Sequence, residues 1–125
     1  MKISIGCDLV YITRFKKSLE SKRFIERVFH KVEQEYCEAK KNRVASYAAR
    51  FAAKEAFSKA LGTGLFAHNV APNDIWIENQ ENNKPNIKVS DKLKKVLSQQ
   101  GVTEWDVSVS HHGQYAMATV LIHKK

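Results

Sequence analysis

The sequence predicts an α+β protein in which a small antiparallel sheet packs on one long helix. An alanine-rich segment in the middle of the chain has the composition of a long helix. Apolar and polar residues alternate near both ends of the chain, which predicts strands. Two of these strands flank a His-Gly-Gln turn and should form an antiparallel hairpin. A chain of 125 residues has the size of one domain, which we assign to residues 1–125.

The first strand is predicted close to the N-terminus. Ile3, Ile5, Cys7 and Leu9 alternate with polar residues and glycine, and we expect this apolar stripe to face the core. Asp8 then falls on the opposite face, near the end of the strand. A carboxylate is a poor strand residue. It fits either a cap for the following helix or a ligand in a site.

Helices are predicted between this strand and residue 62. A helical segment directly follows the strand, and two further helices cover residues 22–29 and 32–41. The long helix covers Val44–Leu61, and Gly62 suits the left-handed position that ends a helix. The small side chains of its alanines also allow a neighbouring element to approach closely.

The C-terminal half of the sequence predicts two short strands, one helix and a final pair of strands. Residues 73–79 and 86–89 resemble strands that are joined by a turn rich in asparagine. Ser90 should cap a helix that runs to about residue 100. The final hairpin pairs a strand around Trp105 with residues 115–122.

The composition limits the possible partners and compartment. The net charge is +8, from 21 Lys and Arg against 13 Asp and Glu, so the chain should attract nucleic acid, phosphorylated metabolites or an acidic protein. No apolar run approaches the ~20 residues of a membrane span, and we expect no membrane association. The N-terminus lacks a signal peptide, which favours the cytoplasm. Two cysteines do not make a disulfide framework.

Charged residues interrupt the long helix in the stretch FAAKEAFSKALGTG, residues 51–64. Glu55 and Lys59 are spaced for a surface ion pair worth ~0.2–0.5 kcal/mol. Arg50 and Lys54 carry like charges four residues apart, which is unfavourable unless anions bind there. If Glu55 and Asp8 converge, they supply two oxygen ligands suited to Mg²⁺, whose other ligands would be waters and substrate phosphates.

Two further segments fit either a structural or a phosphate-binding role. Gly62-Thr63-Gly64 can be a helix stop or a loop that offers N–H groups to phosphate. His111 shares strand parity with Trp105, so it can lie at the edge of the core or, with Ser110, bind phosphate. Adjacent histidines in a strand point to opposite faces, which argues against a zinc site.

Three motifs in this order carry a resemblance to a known family. GCDLVYITRF (6–15), RFAAKEAFSKALGTG (50–64) and SVSHHGQYA (108–116) closely resemble holo-[acyl-carrier-protein] synthase, the short bacterial type of 4'-phosphopantetheinyl transferase. The resemblance spans nearly the whole chain and implies the fold of that family. It also implies transfer of 4'-phosphopantetheine from coenzyme A to a serine of apo-acyl carrier protein, with release of adenosine 3',5'-bisphosphate, in support of fatty acid biosynthesis.

The resemblance also implies a role for each motif residue. The family's metal-binding aspartate and glutamate match Asp8 and Glu55, which with Lys59 would form the catalytic group and hold Mg²⁺. Lys59 and Lys54 match lysines that contact the pyrophosphate. The other coenzyme A contacts implied by the family match Arg50, Gly62, Thr63, Gly64, Ser110 and His111.

Assembly and partner binding are further expectations from the family. Its short members form homotrimers with active sites between subunits, where one chain supplies the Asp/Glu pair and its neighbour the Ser-His strand. Acyl carrier proteins are acidic, and a basic surface would steer them to the cleft. The residues that resemble this docking surface are Arg14, Lys17, Lys22, Arg23 and Arg27.

Two other functions fit parts of the sequence. The charge of +8 would suit a small nucleic-acid-binding module, but the chain has no RNA-binding sheet motif, zinc finger or repeated stacking aromatics, so we expect no nucleic acid. A metal-dependent phosphohydrolase could use the same Asp/Glu pair with water as nucleophile. It would release adenosine bisphosphate from coenzyme A without a carrier protein.

Overall fold

The computed structural model describes residues 2–62 and 70–125. Helices dominate the first half of the chain and strands the second. The elements in chain order are β1 (Lys2–Tyr11), α1 (Ile12–Ser18), α2 (Lys22–Val28), α3 (Lys31–Glu38), α4 (Arg43–Leu61), a 3-10 turn (Pro72–Asp74), β2 (Ile75–Asn79), β3 (Pro85–Val89), α5 (Asp91–Gln99), β4 (Val102–His112) and β5 (Tyr115–Lys124).

The strands form two antiparallel sheets. The larger has the order β1-β5-β4, and β2 pairs with β3 in a separate hairpin. Helix α4 packs against the larger sheet, where Ala52 and Ala56 of the helix and Ala116 and Ala118 of β5 are completely buried. Small residues on both sides let the helix backbone come close to the sheet. The predicted class, a small antiparallel sheet on a long helix, is confirmed.

The ends of the helices follow local capping chemistry. The side chain of Ser90 accepts a hydrogen bond from the Leu93 N–H at 3.2 Å and begins α5, as predicted. Helix α4 begins after Asn42, whose side chain accepts from Ala45 N–H. It ends at Gly62, which has a left-handed φ of 82°.

Helices α1 to α3 cover the first half of α4 through a cluster of aromatic rings. Phe15 of α1 and Phe51 of α4 have ring centroids 5.1 Å apart. Phe29, at the end of α2, lies 4.7 Å from the ring of Tyr47 on α4. This cluster holds the basic α1 and α2 beside the helix that carries Glu55. Within the described ranges, no helix is long and apolar enough to cross a membrane.

The orientation of β1 is opposite to the one predicted. The stripe of Ile3, Ile5 and Leu9 is exposed, with 57%, 66% and 60% of each residue's surface accessible. Gly6 is buried instead, because α4 lies directly against it. A Cβ at Gly6 would come within 1.9 Å of the Ala56 carbonyl oxygen, so only glycine permits this contact.

The exposed stripe continues on the neighbouring strand. Leu9 pairs with Met117, and Tyr11 pairs with Tyr115 at a ring-centroid distance of 5.5 Å. Met117 and Tyr115 are also exposed, at 42% and 48%. The sheet therefore has a core-facing side against α4 and an apolar outer face, which we call the outer sheet face.

Replacing Gly6 with alanine tests this packing. The new methyl group would overlap the backbone of α4, and we expect Gly6→Ala to lower the free energy of unfolding by at least ~3 kcal/mol. Denaturant titration measures this loss. Gly113→Ala is the control and should cost only ~1–2 kcal/mol, because Gly113 has a φ of 59° and no described residue lies within 4 Å of the position of its Cβ. Equal losses for the two variants would contradict the close contact of β1 with α4.

Candidate active site

The first candidate group lies where the end of β1 meets the C-terminal half of α4. Because Gly6 is turned toward α4, Asp8 is turned toward it as well, two residues further along the strand. Lys59 donates from Nζ to Asp8 Oδ1 at 3.0 Å and to the Cys7 carbonyl oxygen at 3.1 Å. Glu55 lies one turn earlier on the same face of α4. The structure thus brings together Asp8, Glu55 and Lys59, which we call the acidic cluster.

The electrostatics of the acidic cluster follow from two carboxylates that share one lysine. Burial raises the pKa of Glu55, the charge of Asp8 raises it further, and Lys59 lowers it. The hydrogen bond to Asp8 and its charge raise the pKa of Lys59. With both carboxylates ionised, the cluster carries one negative charge more than Lys59 neutralises. Two partly buried carboxylates with excess negative charge are a donor set that fits Mg²⁺.

A second group lines a cavity of about 230 Å³ on another side of α4. Arg50 and His111 both line it. The Arg50 guanidinium donates from Nη2 to Asn79 Oδ1 at 2.9 Å and lies 4.0 Å from the ring centroid of Tyr36. Its buried Nε has no hydrogen-bond partner among the residues that the structure describes. An arginine that is held over an aromatic ring at the wall of a cavity is suited to bind an anion there.

Tyr36 and Asn79 complete this second group, although the sequence did not indicate them. They come from α3 and from the end of β2 and meet Arg50 only in the folded chain. Short-range spacing carries no signal of such a contact. The predicted partner Ser110 is not part of the group: it is exposed on the outer sheet face, opposite Met117, because neighbouring strand residues point to opposite sides.

The structure corrects the assignment of Lys54 to the pyrophosphate or to solvent. The side chain is completely buried, and Nζ forms an ion pair with Glu33 Oε1 at 2.7 Å. It also donates to the carbonyl oxygens of Val28, Pro72 and Ile75. Lys54 and Glu55 are sequence neighbours, but a helix rotates by about 100° per residue, so one enters the core while the other reaches the site.

The remaining predicted residues lie at the ends and surface of the helices. Gly62 ends α4, and its N–H donates to the carbonyl oxygens of Ser58 and Lys59, both at 3.1 Å. That N–H is therefore part of the helix end rather than a donor to phosphate. Thr63 and Gly64 lie outside the described residues. The predicted docking residues are all exposed on α1 and α2; they are Arg14, Lys17, Lys22, Arg23 and Arg27.

Comparison with known proteins gives the family. Residues 4–120 match the model of the 4'-phosphopantetheinyl transferase superfamily. The chain is 40% identical over 124 residues to the holo-[acyl-carrier-protein] synthase of Trichlorobacter lovleyi, with 98% of both chains covered. It is 40% identical over 129 residues to that of Pelagibacter ubique, with both chains fully covered.

Solved structures of holo-[acyl-carrier-protein] synthases have the same fold as this chain. The holo-[acyl-carrier-protein] synthase of Neisseria meningitidis superimposes with a TM-score of 0.89 at 30% identity, covering 97% of this chain and 98% of the other. The ACPS–CoA complex of Chronobacterium ammoniagenes gives a TM-score of 0.86 at 26% identity, covering 100% and 99%.

The chain thus belongs to the 4'-phosphopantetheinyl transferase superfamily, a class of enzymes. Within it, the chain falls in the holo-[acyl-carrier-protein] synthase family. The family and the enzyme class predicted from the three sequence motifs are confirmed.

Because the pKa of Glu55 is raised, we expect a neutral residue at this position to stabilise the fold at neutral pH but not at acidic pH. The folded protein holds a proton at Glu55 more tightly than the unfolded chain, so ionised Glu55 destabilises the fold as pH rises above the unfolded-state pKa. Without divalent metal, we expect Glu55→Gln to raise Tm at about pH 7.5 and to leave it unchanged at about pH 3.5, where both residues are neutral.

Thermal unfolding of Glu55→Gln at the two pH values measures this difference. Glu81→Gln, which alters an exposed glutamate in the turn between β2 and β3, reports the effect of simply removing one surface carboxylate. The same gain in Tm at both pH values would contradict the electrostatic account of the cluster.

Proposed function

We propose that the protein transfers 4'-phosphopantetheine from coenzyme A to a serine of apo-acyl carrier protein and so supplies holo-carrier protein for fatty acid biosynthesis in the cytoplasm. The proposal rests mainly on the acidic cluster, in which the carboxylates of Asp8 and Glu55 share the charge of Lys59 beside the C-terminal half of α4. It supplies a cation site and a positive charge within one group, which suits a pyrophosphate. The relatives named holo-[acyl-carrier-protein] synthase support the same reaction.

The chemistry is a substitution at phosphorus. The carrier serine oxygen forms a bond to the phosphorus that bears pantetheine, and the bond from that phosphorus to the bridging oxygen breaks. Adenosine 3',5'-bisphosphate leaves with the bonding electrons. The ammonium of Lys59 offsets the negative charge that develops on this leaving group.

Glu55 is suited to take the serine proton, directly or through a water. Its raised pKa makes it a stronger base than an ordinary glutamate. Asp8 and Glu55 would also hold Mg²⁺, which when bound neutralises charge on the pyrophosphate. The two roles are compatible because a carboxylate has two oxygens.

The cavity of Arg50 and His111 would receive the 3'-phosphate end of coenzyme A. The Arg50 guanidinium lines this cavity and supplies the positive charge that a phosphate requires, and His111 lines the same cavity. Arg50 and Glu55 are five residues apart on α4 and therefore point in directions about 140° apart. One chain is thus poorly arranged to bring both groups to one coenzyme A, and we assign Arg50 and His111 to the site of a neighbouring subunit.

The outer sheet face supports assembly into a homotrimer. Its apolar residues Ile3, Ile5, Leu9 and Met117 are exposed in the single chain. A contiguous apolar surface of this kind is typical of a protein–protein interface. Three copies related by a rotation axis would cover this face and place β4 of one chain beside β1 of the next.

The basic residues of α1 and α2 provide a surface for an acidic carrier protein. Arg14 and Lys17 lie on α1, and Lys22, Arg23 and Arg27 on α2. All five are exposed, and the aromatic cluster fixes both helices to α4 near the acidic cluster. Opposite charge would increase the rate of association and fix the orientation of the partner.

The proposed reaction predicts a defined mass change in the partner. When the protein is mixed with coenzyme A, Mg²⁺ and apo-acyl carrier protein, we expect the carrier to gain one phosphopantetheine by mass spectrometry. Removal of divalent metal with a chelator should abolish the gain. Glu55→Ala should lose at least ~10²-fold in rate, because it removes a base and a metal ligand while leaving a good helix former.

Circular dichroism of Glu55→Ala provides the control for folding. If the Glu55→Ala variant folds and transfers phosphopantetheine at the wild-type rate, Glu55 has no part in the mechanism. Release of adenosine bisphosphate by the wild type without carrier protein would indicate a phosphohydrolase instead.

A further inference from the structure

An ion pair lies in the interior of the protein, behind the acidic cluster. The side chains of Lys54 and Glu33 are both completely inaccessible to solvent. Burial lowers the pKa of Lys54, and the charge of Glu33 opposes that shift. Ionised groups in the interior of a small domain are rare, and a buried pair is often no more stable than well-packed apolar residues. The ion pair is therefore not by itself evidence of a more stable fold, and its backbone hydrogen bonds show what it does instead.

The hydrogen bonds of Lys54 join separate segments of the chain. Nζ donates to the carbonyl oxygen of Val28 at the end of α2, at 2.8 Å. It also donates to that of Pro72 in the 3-10 turn, at 3.1 Å, and to that of Ile75, the first residue of β2. A single ammonium group on α4 thus binds the last turn of α2 and the beginning of β2.

Glu33 extends this junction to α3. Oε1 accepts the N–H of His30 at 3.0 Å and thereby caps α3, while Oε2 accepts the N–H of Ile77 at 3.0 Å. Its two oxygens therefore fix the start of α3 and the middle of β2. Together the two charged side chains hold α2, α3 and β2 on one side of α4, and no apolar pair could satisfy the same backbone groups.

The pair of Lys54 and Glu33 lies between the acidic cluster and the basic docking surface of the proposed function. Lys54 directly precedes Glu55 of the acidic cluster. Val28 ends α2, which carries three of the five basic docking residues. A second link, from Asn73 Nδ2 to the Glu26 carbonyl oxygen at 3.5 Å, joins α2 to the 3-10 turn that Lys54 also binds. Shifts of α2 relative to Glu55 are thus resisted by the bond from Lys54 to Val28 and by the link from Asn73 to Glu26.

We propose that Lys54 and Glu33 are positioning residues that set the orientation of α2 relative to Glu55 and thereby align the bound carrier protein with the acidic cluster. The proposal rests on the proposed function. Neither side chain touches a substrate. Arg50 of the coenzyme A cavity has its own contacts to Asn79 and Tyr36, whereas Val28 at the end of α2 is bonded to Lys54 itself. Loss of the pair should therefore weaken use of the carrier far more than use of coenzyme A.

The test uses Lys54→Met and the double variant Lys54→Met/Glu33→Gln. The single variant leaves a buried carboxylate without its cation and is expected to lose much of its stability. The double variant leaves no unpaired charge in the interior and keeps a side-chain oxygen that accepts the His30 N–H, so it should be more stable than the single variant. Leu93→Ala, a core truncation on α5, is the control for general loss of stability.

Steady-state kinetics with each substrate varied, and anisotropy of labelled apo-carrier protein, provide the measurements. For the folded double variant we expect KM and Kd for the carrier to rise about tenfold or more, with KM for coenzyme A within about twofold of wild type. Leu93→Ala should lower Tm without this split. Unchanged carrier binding, or equal changes for both substrates, would overturn the proposal. A wild type that binds no carrier would instead overturn the proposed function on which it rests.

Discussion

The contact between Gly6 and the backbone of α4 is the constraint on which the site depends. A side chain at this position would occupy the space of the Ala56 carbonyl, so strand and helix approach more closely than side chains normally allow. The contact decides which face of β1 meets α4. Asp8, two residues later, is consequently brought within hydrogen-bond distance of Lys59 and beside Glu55. The same orientation exposes Ile5 and the rest of the apolar stripe, so one contact creates both the acidic cluster and the outer sheet face.

Helix α4 distributes its charges in three directions, each with a different consequence. Lys54 points into the core and holds the surrounding segments by ionic hydrogen bonds. Glu55 and Lys59 point toward β1 and, with Asp8, form the acidic cluster. Arg50 points toward α3 and β2, where Tyr36 orients its guanidinium. The alanines between them pack against the sheet and bring these side chains close to it. The like charges of Arg50 and Lys54, unfavourable as an isolated helix pair, are tolerated because each has its own partners.

Sequence patterns predicted the parts of the structure that depend on local chemistry. The alanine-rich composition indicated α4, Gly62 its end and Ser90 the start of α5. The orientation of β1 was wrong, because apolar alternation shows that one face avoids water without showing whether the core or another surface covers it. The predicted role of Lys54, at the pyrophosphate or in solvent, was wrong for a similar reason. Helical spacing cannot show that Glu33 and three backbone carbonyl groups surround this side chain in the core. Tyr36 and Asn79 were not predicted, because their contacts with Arg50 join residues that are far apart in the sequence.

The central claim is that the acidic cluster of one subunit and the Arg50 cavity of its neighbour form one catalytic site. Mixed trimers test it most directly: Glu55→Ala and Arg50→Ala subunits, each inactive alone, are combined in equal amounts and assayed for phosphopantetheine transfer. Each shared site would be intact when Glu55 comes from one variant and Arg50 from the other, so random assembly predicts recovery of about one quarter of wild-type activity. If both groups served the site of their own chain, no mixed trimer would contain an intact site. A mixture that stays as inactive as its components would contradict the account.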